Sequence, residues 1–124
     1  MISHMNGKHV LVVDDDESIL EVVKIVLEEE GYVVTAISDY EEIDQEIVAK
    51  SPDIIVLDIY MPGRNGAEIT RQLKTHQYSA HIPIIIASAG TELKSIAEQV
   101  GADGYLEKPF EIEELVAVIK NHIQ

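Results

Sequence analysis

The chain has 124 residues, 46% of them apolar, enough for one sizeable hydrophobic core without a second domain. Nine basic against 23 acidic residues leave a formal charge of −14; that field repels phosphate backbones and anionic lipids and argues against direct nucleic-acid or membrane partners. The absence of cysteine excludes disulfides and thiolate metal sites, and no run is apolar enough to span a bilayer or patterned as a signal peptide, so the chain reads as cytoplasmic.

Residues 1–5, with "SHM" at Ser3–Met5, read as a cloning remnant and native start. Thereafter five Val- and Ile-rich runs alternate with five helical patterns. His9–Val13 (HVLVV) predicts the first strand, and Asp14, Asp15 and Asp16 follow it, the last a candidate helix N-cap. Ile19, Leu20, Val23, Val26 and Leu27 form one apolar stripe of a first helix that stops at Gly31. Tyr32–Ala36 predicts the second strand, and Ile43, Ile47 and Val48 mark the second helix. Ile54–Leu57 predicts a third strand that runs into Asp58, followed by Pro62-Gly63, a pair suited to a type II turn. Gly66 eases entry to a third helix marked by Ile69 and Leu73, while Arg64 and Asn65 read as solvent-facing. Ile82–Ala87 predicts the fourth strand, with Ser88 after it and a fourth helix on Leu93, Ile96, Ala97 and Val100. Gly104–Glu107 is the fifth and weakest strand pattern; Lys108 follows, and Ile112, Leu115, Val116 and Ile119 mark the last helix.

This alternation predicts an α/β domain: a single doubly wound, five-stranded parallel sheet with five helices on both faces. Ligands of such sheets bind outside the carboxyl ends of the strands. The residues collected there are Asp14, Asp15, Asp16, Asp58, Ser88 and Lys108. Singly, each is an ordinary loop or capping residue. Together they pose an electrostatic problem, because neighbouring carboxylates raise one another's pKa and destabilise the fold unless a cation offsets them. With oxygen ligands only, a hard ion such as Mg²⁺ or Mn²⁺ fits, and Mg²⁺ commonly adds a phosphate oxygen to one or two carboxylates. A carboxylate can accept a phosphoryl group, with a Lys ammonium and a Ser hydroxyl balancing the developing charge. The five histidines, His4, His9, His76, His81 and His122, form no i, i+4 pair and are not read as metal ligands.

"LVVDDDES", "PDIIVLDIYMPGRNG", "IPIIIASAG" and "GADGYLEKPF", in this order and at matching strand ends, together resemble the receiver domain of two-component response regulators. The likeness covers the chain from Lys8 onward, so residues 6–124 are taken as the receiver domain. It implies a flavodoxin-like strand order 2-1-3-4-5 and a signalling switch rather than a conventional enzyme. By this resemblance Asp58 takes a phosphoryl group from a phosphohistidine of a sensor histidine kinase or phosphotransfer protein. Asp15, Asp58 and the backbone carbonyl of Tyr60 bind Mg²⁺ or Mn²⁺, and Asp14 acts through water. Lys108 contacts the phosphoryl oxygens, with a cis bond to Pro109 aiming it inward; Ser88 and Tyr105 are the switch pair. An output partner, or a second copy forming a homodimer, is expected on the face of the fourth helix, fifth strand and fifth helix.

Two rival readings remain open to the same residues. "VVDDDES" also resembles the first motif of haloacid dehalogenase-type phosphatases, with Asp14 as nucleophile, but that reading leaves Asp58 and its Pro-Gly turn unexplained. A pseudo-receiver that binds partners without phosphate needs the fold but not the acidic cluster, whereas every expected site residue is present.

Overall fold

The computed structural model describes residues 7–123; the Ser3–Met5 reading lies outside them. In chain order the elements are β1 (His9–Val13), α1 (Glu17–Glu29), β2 (Val33–Ile37), a 3-10 turn (Tyr40–Glu42), α2 (Ile43–Lys50), β3 (Ile54–Asp58), α3 (Gly66–Thr75), β4 (Ile84–Ser88), α4 (Leu93–Val100), β5 (Gly104–Glu107) and α5 (Ile112–His122). The strands form one parallel sheet in the expected order β2-β1-β3-β4-β5.

Strand side chains alternate between faces, and this alternation divides the core in two. Leu11, Val13, Ile55, Leu57 and Ile86 pack under α2, α3 and α4, whose contributions include Ile43, Ile69 and Leu93. Val10, Val12, Ile54, Val56 and Ile85 pack under α1 and α5, against Leu20, Leu27, Leu115 and Ile119. The central strands β3 and β4 are covered on both faces, so every residue of each is buried. Each fully buried Ile or Leu contributes on the order of 1.5–3 kcal/mol. The two charged or polar residues in these strands, Asp58 and Ser88, come last in each.

Boundaries move for identifiable reasons. β2 starts at Val33, not Tyr32, because the Tyr32 N–H closes the end of α1 on the Leu27 carbonyl, helped by Gly31 at φ 101°. β4 starts at Ile84, not Ile82: Pro83 has no N–H to give the ladder, and the Ile82 N–H is taken by the Ser79 carbonyl. Val48 does not belong to the core stripe of α2; it is 74% exposed, since Ile43 and Ile47 at i, i+4 already span the narrow face that this eight-residue helix buries.

Candidate functional site

Two strand ends supply the carboxylates. β1 and β3 are neighbours in register up to Val13 and Leu57, so the next residues, Asp14 and Asp58, emerge side by side. Both are buried, at 5% and 6% exposure, whereas Asp15 is exposed. Ligand oxygens of Asp14, Asp15 and Asp58 lie within 4.8 Å of one another. Lys108, carried to the same rim by β5, spans two of them: its Nζ donates to Asp14 Oδ2 at 2.6 Å and to Asp58 Oδ2 at 2.9 Å.

The other carboxylate oxygens meet backbone donors. Asp14 Oδ1 accepts from the Asp16 N–H and Asp58 Oδ1 from the Tyr60 N–H, both at 2.9 Å. Each buried carboxylate thus uses one oxygen for the ammonium and one for its own loop, an arrangement that fixes its rotamer. Burial alone pulls the Lys108 pKa down, but the hydrogen bonds and charges of Asp14 and Asp58 outweigh it and the net shift is upward from 10.5. Lys108 therefore stays charged. One ammonium still faces three carboxylates, and a divalent cation with a preference for oxygen fits that surplus of negative charge.

Asp16 is the N-cap of α1, accepting from the Ser18 and Ile19 N–H groups at 3.0 and 3.2 Å. The Lys108–Pro109 bond is cis, and Gly63 has φ 102°, as its turn requires. Ser88 is 2% exposed, and its hydroxyl donates to the Ala89 carbonyl at 3.1 Å rather than to either carboxylate. Tyr105 pairs with Ile86 across the sheet, which puts it on the same face as Ser88, and it is 40% exposed. Tyr60 is exposed, with its N–H turned to Asp58.

Three roles are missed from the sequence, although an Asn directly before a helical pattern, as Asn65 is, is itself an N-cap signal. Asn65, though exposed, caps α3 by accepting from the Ala67 and Glu68 N–H groups. Gly66 is sterically required: a Cβ there would run into Ile59 Cα and lie 2.5 Å from the Tyr40 hydroxyl. Tyr40 itself donates to the backbone carbonyl of Asp58. An apolar groove of about 500 Å³ flanks the rim, lined by Ile19, Val22, Pro109, Phe110 and Ile112, with Lys108 at its edge.

A family model described as the response regulator receiver domain matches residues 10–120. Among curated proteins, the chain is 41% identical over 118 residues to the phosphate regulon transcriptional regulatory protein PhoB of Pseudomonas aeruginosa, covering 94% of this chain and 52% of that protein. It is 39% identical over 116 residues to the alkaline phosphatase synthesis transcriptional regulatory protein PhoP of Bacillus subtilis, covering 92% and 48%. The chain thus spans about half the length of these relatives. Among solved structures, the chemotaxis response regulator CheY4 of Vibrio cholerae superposes with a TM-score of 0.86 at 30% identity, over 94% of this chain and 99% of that one. The receiver domain of Francisella response regulator 1452 does so at 0.83 and 35%, over 93% and 95%. With a family match over nearly the whole fold, the acidic rim stands on the scaffold its neighbours share, and the chain belongs to the receiver domains of two-component response regulators.

Proposed function

We propose that Asp58 is the phosphoacceptor of this domain. The observation that carries the reading is the convergence of Asp14, Asp15 and Asp58 within 4.8 Å, with Lys108 bonded to two of them. A carboxylate oxygen of Asp58 attacks the phosphorus of a phosphohistidine on a sensor kinase or phosphotransfer protein. A P–O bond forms, the P–N bond breaks, and its electron pair leaves with the imidazole. Asp15, Asp58 and the Tyr60 carbonyl, with Asp14 acting through water, would hold Mg²⁺ or Mn²⁺, which would supply neutralising charge for the phosphoryl oxygens. Lys108 pivots from the carboxylates to a phosphoryl oxygen, and Ser88 donates to another. The groove beside Lys108 gives the donor protein apolar surface to rest on while its imidazole reaches Asp58.

Acetyl phosphate with Mg²⁺ is expected to label the wild-type chain once, because the rim already supplies the electrostatics of transfer. Intact-mass measurement checks this. Asp58→Asn should take no label at that position, and undiminished labelling of this variant would sink the assignment.

The phosphoryl group is then expected to draw the Ser88 hydroxyl inward and let Tyr105, on the same sheet face, turn in behind it. The change would reach the surface formed by α4, β5 and α5, where exposed Lys94, Glu98, Glu107 and Glu111 can match an output partner or a second copy. The curated relatives are transcriptional regulatory proteins, and control of such an output is the role inferred here. Beryllofluoride, which mimics a phosphoryl group on a carboxylate, should shift amide resonances across this face. Shifts confined to the rim, with Tyr105 keeping its rotamer, would refute the switch.

A further inference from the structure

We infer that Tyr40 is a positioning residue for phosphoryl transfer, its hydroxyl fixing the peptide unit on which the Asp58 side chain is mounted; the inference rests on Asp58 being the phosphoacceptor. β1 pairs with β3 only as far as Val13 and Leu57. One residue later the Asp58 carbonyl faces that side with no strand partner, and the Tyr40 O–H donates to it at 2.6 Å. The opposite edge of the same peptide, the Ile59 N–H, donates to the Ala87 carbonyl of β4 at 3.1 Å. The unit linking Asp58 to Ile59 is therefore clamped from both sides, once by the ladder and once by a side chain from the β2–α2 crossover.

The clamp is closed. Tyr40 is 4% exposed, and α3 begins so near that a Cβ on Gly66 would lie 2.5 Å from the Tyr40 hydroxyl and 2.7 Å from the Ile59 carbonyl oxygen. Rotation of this peptide would swing the Asp58 carboxylate and disturb the Tyr60 N–H that holds Oδ1. Displacement of a reacting group by about 1 Å can cost up to roughly 10²-fold in rate.

The test is Tyr40→Phe, which keeps the ring and removes only the donor. With acetyl phosphate and saturating Mg²⁺, at a temperature well below both melting transitions, the maximal labelling rate should fall about tenfold or more. The donor concentration for half-maximal rate should stay unchanged, since the donor does not touch Tyr40. The Asp58 carbonyl ¹³C resonance should shift, reporting the lost hydrogen bond. An unchanged maximal rate overturns the inference. So does a loss that merely follows the unfolded fraction, or failure of the variant to fold, because Tyr40 then serves stability alone. Label on Asp58 in wild type with an unimpaired Tyr40→Phe strikes this inference only; no label on Asp58 in wild type strikes the phosphoacceptor reading and this one with it.

Discussion

Lys108→Met is expected to destabilise the metal-free chain by about 2 kcal/mol and to slow labelling of Asp58 by roughly 10²–10³-fold. Removing one partner from a buried ion pair costs about 3–5 kcal/mol; the lower figure allows for the 19% exposure of the Lys108 side chain. Methionine retains the packing of the stem, so the loss isolates the ammonium. Without it, Asp14 and Asp58 face each other with only their loop N–H donors. The rate effect follows from losing a charged donor at the developing phosphoryl charge, where one such group contributes on the order of 10²–10³-fold. The variant's more negative rim should bind Mg²⁺ more tightly, so saturating Mg²⁺ should restore more stability to it than it adds to wild type. In addition, the Lys108 pKa is raised on folding, so the pair's contribution is fully present below the unfolded value of about 10.5 and is lost as pH rises through the folded one. The stability gap between wild type and Lys108→Met, measured by urea denaturation without metal, should narrow only above that pH. A constant gap up to pH 12, or none at pH 7, would contradict the ion-pair account.

Mg²⁺ should raise the melting temperature of the wild-type chain, and Asp15→Asn should abolish most of that gain at little cost of its own. A ligand at about 100 times its Kd adds roughly 2.7 kcal/mol when it binds only the folded state. Asp15 is the informative position because it is exposed while Asp14 and Asp58 are buried and bonded to Lys108. An exposed substitution usually changes stability by less than about 0.5 kcal/mol, so without metal the variant should melt with wild type and part from it only when Mg²⁺ is added. A wild-type melting curve indifferent to millimolar Mg²⁺ would remove the metal from the account.

Asp14, Asp15, Asp58, Ser88 and Lys108 were legible because near-continuous Val- and Ile-rich runs show where buried parallel strands end, and a doubly wound sheet gathers those ends on one rim. Convergence could be read in this way; contact could not. The bonds from Lys108 to Asp14 and Asp58 join residues 94 and 50 positions apart, and no local pattern encodes them. Tyr40 was hidden for a related reason: its partner is a backbone carbonyl, which leaves no trace in residue type. Gly66 was read as a local convenience, whereas its constraint comes from Ile59 and Tyr40. Val48 shows the converse error, an apolar residue given a burial that its short helix had no room to provide.

The most direct measurement of the central claim is to locate the phosphoryl group in wild-type protein, since a silent Asp58 variant can fail for indirect reasons. The chain is labelled with acetyl phosphate and Mg²⁺, reduced with borohydride to convert an aspartyl phosphate to homoserine, digested, and sequenced by mass spectrometry. The account predicts homoserine at position 58 as the single major product. Conversion mainly at Asp14 would transfer the nucleophile to the first strand and support phosphatase-like chemistry, and a major phosphoryl group on any other residue would equally contradict the role assigned to Asp58.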